Sequence, residues 1–121
     1  MKHKVYYDEE NKVMVLRVIG EYTLEDAEET TRVMEKITEE KGIQSLMADL
    51  TQTPPKLDKK VREMMREQAE RYDLGKMALV ITNPAVRMIG KIVISTMGSG
   101  DTTRFFKTDE EALAWLKGDG K

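Results

Sequence analysis

The sequence predicts one α/β domain: a five-stranded, mixed and largely parallel sheet flanked by four helices. Three observations lead there. From Val13 onward, short apolar runs alternate with longer segments of helical periodicity, the pattern of successive strand–helix–strand units whose strands run parallel. The first two runs are instead joined by a short polar turn, which sets an antiparallel hairpin at one side of the sheet. A chain of 121 residues can also bury a core without disulfide or metal staples.

The first strand is expected over Lys4 to Tyr7, a turn over Asp8 to Lys12, and the second strand over Val13 to Ile19, ending in Gly20. Val13, Met14, Val15 and Leu16 are apolar in succession, so this strand is buried on both faces and central. Thr23 is a suitable N-cap for the first helix, with Glu25 and Asp26 in its first turn and Gly42 at its end. Leu24, Ala27, Thr31, Met34 and Ile37 share one face of it. The stretch IQSLMADL reads as a third strand. After Pro54 and Pro55, the spacing of Leu57, Val61, Met64 or Met65, and Tyr72 marks a second helix that ends near Leu74 and Gly75. KMALVIT is the fourth strand; a third helix follows, with Asn83 as cap and Pro84 at its first position. TRFF is a short fifth strand, and Thr108 with Glu111 in capping-box spacing opens a last helix that ends at Gly118. Trp115 pins that helix to the sheet.

Composition removes several functions. There is no cysteine, so thiolate metal sites, disulfides and cysteine nucleophiles are excluded. The lone histidine, His3, is expected at a frayed or surface-exposed N-terminus and not as a base. With 20 basic against 22 acidic residues, the net charge of -2 provides no field to attract nucleic acid. The chain shows neither a signal-peptide pattern nor an apolar run of membrane-spanning length, so no integral membrane segment and a cytoplasmic location are expected. No cofactor or metal is expected, and no enzyme: the candidate residues include no acid–base pair, glycine-rich phosphate loop or metal triad.

The order of elements, with NPAVRMIGKIVIS leading to RFFKTDEEALAWLK, resembles the SpoIIAA-like branch of the STAS domain families over nearly the whole chain. The resemblance implies a small mixed sheet flanked by helices, in proteins that mostly lack an assigned activity. Anti-sigma-factor antagonists of this fold carry a phosphorylatable serine after the third strand, in Asp-Leu-Ser followed shortly by Asp-Ser-Ser-Gly at a helix start. Asp49-Leu50-Thr51 matches the first half. In place of the second half stands Pro54-Pro55-Lys56-Leu57-Asp58-Lys59, so the resemblance implies the fold without the serine phospho-switch.

Two groups of residues are candidates for function. Asp49, Thr82 and Asn83 fall at the carboxyl ends of neighbouring parallel strands, the sheet edge where ligands usually bind, and could meet in one cleft. Thr51 and Thr53 are expected near the start of the second helix, where a phosphate would meet backbone donors and the helix dipole; against this, Asp-x-Thr before a helix is ordinary turn chemistry, and two prolines stiffen the connection without needing a switch. The second group lies on the third helix. Ala85, Val86, Met88, Ile89, Ile92, Val93, Ile94 and Met97 cover more than the roughly 100° stripe that docks one helix face, and Arg87 and Lys91 form a basic edge. Burial inside the monomer, a surface for a protein partner or a second copy of the chain, and the wall of an apolar pocket or membrane contact all account for this. The interaction-surface reading rests on Arg87, Met88, Lys91, Ile92 and Ile94. The resulting expectation is a non-catalytic binding or regulatory module acting through protein contacts of this helix and the loops beside it; the alternative is a carrier or sensor of an apolar small molecule or lipid.

Overall fold

A computed structural model describes residues 2–42, 45–71, 76–97 and 102–118. The elements run β1 (Lys4–Asp8), β2 (Val13–Ile19), α1 (Leu24–Lys41), β3 (Leu46–Gln52), α2 (Lys59–Arg71), β4 (Met77–Val80), α3 (Pro84–Met97), β5 (Thr103–Phe106) and α4 (Asp109–Leu116). The sheet has the spatial order β1-β2-β3-β4-β5; β1 is antiparallel to β2, and every other pairing is parallel. This is the expected architecture. The expected end of the second helix, at Tyr72, Leu74 and Gly75, lies outside the described residues.

Strand order dictates the layers. Each crossover from β2 to β5 steps to the next strand in the same direction, and right-handed crossovers of that kind leave their helices on one face. The alternation of side chains agrees. Met14, Leu16, Val18 and Leu46 pack with Met34 and Ile37 of α1, while Ala48, Leu79 and Ile81 pack with Val86 and Ile94 of α3. The α2 helix lies between these two helices and buries Val61. The opposite face presents Val13, Val15, Met47, Ala78 and Val80, covered by Ala112, Trp115 and Leu116 of α4.

Local chemistry fixes the ends of the elements. The β1–β2 turn closes on Asp8, whose Oδ1 accepts from the Glu10 and Asn11 N–H groups, with Lys12 left-handed at φ 56°. Thr23 and Asp26 form a capping box at α1. At α2 the side chain of Asp58 accepts from Lys60 N–H at 2.7 Å, so the helix starts only after the prolines, which resist helical continuation. In α3, Gly90 permits a close approach: a Cβ there would lie 3.0 Å from Phe105 Cε1 and 3.6 Å from Ile81 Cδ1.

His3 departs from the expectation of a frayed end. It is buried, its Nδ1 accepts from Ile19 N–H at 3.0 Å, and its Nε2 lies 3.0 Å from Asp26 Oδ2. With Nδ1 accepting, Nε2 faces the carboxylate at 3.0 Å without meeting hydrogen-bond geometry. Position near the chain start gave no sign of this, because the partners come from β2 and α1.

Candidate functional site

The pleat places Arg17, Asp49, Val80 and Phe106 in one row across the α4 face of the sheet, each paired in register with the next. Arg17 is the only charged side chain in the strand VMVLRVI, and its position opposite the first turn of α4 determines its partners. Its Nη1 donates to Asp49 Oδ2 at 2.8 Å, Nη2 lies 3.1 Å from Asp109 Oδ2, and Nε donates to the Tyr6 hydroxyl at 3.2 Å. One guanidinium therefore ties together β1, β2, β3 and α4. Burial works against its charge, but the hydrogen bonds to Tyr6, Asp49 and Asp109 outweigh it and hold the group protonated more firmly than a free arginine.

Asp49 has no unused oxygen in this arrangement. Oδ2 accepts from Arg17, while Oδ1 accepts both the Thr51 N–H at 3.0 Å and the Thr51 hydroxyl at 2.7 Å. Burial raises its pKa, yet the Thr51 bonds and then Arg17 lower it further, so the carboxyl lies below its usual range. A carboxylate so fully engaged is a structural acceptor, poorly suited to take a proton from a substrate.

The remaining loop residues go to separate tasks. Thr51 belongs to β3 itself, and Thr53 donates its hydroxyl to Gly20 O at 3.0 Å, next to the bond from Gly20 N–H to Gln52 O. These bonds close the β2–α1 loop onto the end of β3. The expectation that both threonines stand near a helix start is corrected: α2 begins at Lys59, behind Pro54, Pro55 and the cap Asp58. Asn83 caps α3, its Oδ1 accepting from Ala85 N–H at 2.9 Å, and Thr82 is exposed. Among the described residues no hydrogen bond joins Thr82 or Asn83 to Asp49.

The apolar residues of α3 divide between two faces. Val86 and Ile94 are buried against Ala48, Leu79 and Ile81. Ile94 is thereby removed from the expected interaction surface: its place on the helix turns it toward the sheet. Val93 and Met97 have side chains outside the described residues. On the outer face, Met88 and Ile92 are 64% and 54% exposed, two of the three large apolar side chains exposed among the described residues. Arg87 and Lys91 stand beside them, also exposed, and the Arg87 guanidinium lies 5.5 Å from the centroid of the Phe105 ring. Among the described residues neither cation has a carboxylate within ion-pair distance, in contrast to Arg17, Lys41 and Lys56. No group of three or more histidine, aspartate or glutamate side chains that could hold a metal occurs among the described residues, and no described helix is long and apolar enough to cross a membrane.

Sequence reasoning named Asp49 and Thr51 but passed over Arg17, Tyr6 and Asp109. The signal was available, since a lone arginine inside a strand buried on both sides needs an anion.

A family model described as Domain of unknown function (DUF7793) matches residues 10–118. A solved structure with a SpoIIAA-like fold, an uncharacterized protein of the DUF3478 family from Shewanella loihica PV-4, superposes with a TM-score of 0.72 at 16% identity, covering 94% of this chain and 91% of the other. No curated protein matches the sequence. The likeness to that structure establishes the SpoIIAA-like fold and carries no activity with it.

Proposed function

We propose that this chain, which belongs to the DUF7793 family, is a non-catalytic binding module that works in the cytoplasm through the outer face of α3. The observation that carries this reading is the pair Met88 and Ile92, four residues apart on one helix and both more than half exposed. Apolar side chains at this spacing are the anchors of a helix that docks in a partner's groove. The non-catalytic part of the reading is supported by Asp49, whose oxygens are committed to Arg17 and Thr51. The face is small, which suits a weak or transient complex.

The test compares complexes retained by native protein and by two variants, Ile92→Glu and Met88→Ser, after crosslinking in cell extract. Both variants should keep the native circular dichroism and melting temperature and lose the same crosslinked species. Unfolding of Ile92→Glu would show that the residue is core. Crosslinks indifferent to both changes would remove α3 as the working surface.

A further inference from the structure

We infer that His3 is a proton-released latch on the joint between β2 and α1: the neutral ring holds the joint closed, and a second proton on the ring opens it. The side chain is fully buried, just ahead of β1 in the chain. The register of β1 against β2 ends at the pair Lys4 and Arg17, so Ile19 lies beyond that ladder, where the pairing of β2 with β3 also shifts. There the Ile19 N–H donates to Nδ1 of His3 at 3.0 Å. The next bonds along the chain close the loop: Gly20 N–H donates to Gln52 O, and the Thr53 hydroxyl donates to Gly20 O. One imidazole lone pair thus anchors the start of the loop that folds over the carboxyl end of β3.

The two sides of the ring make different demands. An imidazolium donates from both nitrogens, whereas Nδ1 here must accept. A proton on Nδ1 sets two N–H donors against each other at 3.0 Å in a buried position, so the charged ring fits only after Ile19 has let go. Asp26 Oδ2, 3.0 Å from Nε2, supplies the countercharge for it. The other groups that face the ring do not share its titration. Burial raises the pKa of Asp26, but the bonds with Thr23 and the contact with His3 bring it below the usual range, so it stays a carboxylate. The Tyr22 ring meets His3 edge to face at 5.1 Å, and burial pushes its phenol up against the opposing bond to Thr30, so it stays neutral. Lys2 and Lys4, the neighbours in the chain, are both exposed. Histidine is the side chain that ordinarily changes charge between about pH 5 and 8.

The open joint accepts a proton that the closed joint excludes, so acidification favours opening. With free imidazole titrating at about 6.5, the open fraction should rise about tenfold between about pH 7.5 and about pH 5.5. Amide hydrogen exchange, expressed as protection relative to an unstructured chain at the same pH, reads this at Ile19 and Gly20. Nitrogen-15 shifts of the imidazole report where the ring proton sits. His3→Asn is the control, because its Oδ1 takes the place of Nδ1 as acceptor and does not titrate. In the native protein, protection at Ile19 and Gly20 should fall about tenfold in step with protonation of Nδ1. It should stay level in His3→Asn, and the Met47 amide, in the central strand, should keep its protection in both. The inference is overturned if the ring titrates with Ile19 still protected, if Nδ1 is already protonated at about pH 7.5, or if the ring stays neutral down to about pH 5.5. An equal loss in His3→Asn overturns it by removing the ring as the cause, and a loss shared by Met47 does so by showing general unfolding. The ring shifts are read on the native protein and decide the matter even where the variant does not fold.

Discussion

Replacing Arg17 by methionine keeps an unbranched apolar stem and removes the guanidinium that joins β1, β2, β3 and α4. The cost can be assembled from its three contacts. The bond to Asp49 is charge-assisted, 2.8 Å long and shielded, with the carboxylate side chain 10% exposed, so it falls in the range of about 1.5–3 kcal/mol. The contact with Asp109 is 3.1 Å but open to solvent, and the Tyr6 bond is exposed and 3.2 Å long, so each adds at most about 1 kcal/mol. Arg17 itself retains 26% side-chain exposure, which discounts the sum, and about 2–4 kcal/mol is expected. Urea unfolding monitored by circular dichroism measures it directly, and the melting temperature should drop by roughly 10 °C. The double variant Arg17→Met with Asp49→Leu should recover part of the loss, because most of the penalty is a carboxylate left without its countercharge. A single variant that costs under about 1 kcal/mol, or a double variant that costs the sum of the two singles, would refute the shielded-network account.

The remaining predictions address other joints of the fold. Loss of His3 to alanine strands Ile19 N–H and removes the contact with Asp26; about 1–3 kcal/mol should be lost, and hydrogen exchange at the Ile19 amide should accelerate. Gly90→Val should cost about 1–3 kcal/mol by forcing Phe105 off α3, read as a lower urea midpoint at unchanged slope. Burial raises the pKa of Asp49 and Asp26, but Thr51 and Arg17 at the first, and Thr23 and His3 at the second, bring both below the usual range. Depressed folded-state values stabilise the fold above the unfolded carboxylate pKa of about 3.9, and that stabilisation disappears as pH falls through the folded values. Acid unfolding curves of Asp49→Asn and Asp26→Asn should therefore be flatter below about pH 4 than the native curve; curves of equal steepness would contradict the shifts.

The fold was readable in the sequence because its signals are local. Thr23, Thr108 and Asn83 announce helix starts through their own side chains, and VMVLRVI announces a strand through its apolar run. The charged network was less legible. Its members Tyr6, Arg17, Asp49 and Asp109 come from four elements and meet only once register is set, and no local spacing encodes that meeting. Ile94 and Ile92 illustrate the same limit on one helix: both are apolar, and only the docked orientation sends one to Leu79 and the other to solvent. The threonines were misplaced because a Pro54-Pro55 step leaves the helix start open, and Asp58 decides it.

Laying each new strand beside the previous one has a consequence for the order in which the molecule is finished. As the chain leaves the ribosome, every β-α step can dock on what already exists, so the layer under α1, α2 and α3 closes progressively. The other layer has no cover until α4, the last described element, has been made. A chain interrupted just before it would carry Val13, Val15, Met47 and Val80 bare on one side, an adhesive surface that calls for a chaperone. The one tryptophan of the chain, Trp115, sits in that late-closing layer, so its fluorescence reports the sealing of the molecule and is silent on the growth of the sheet beneath it.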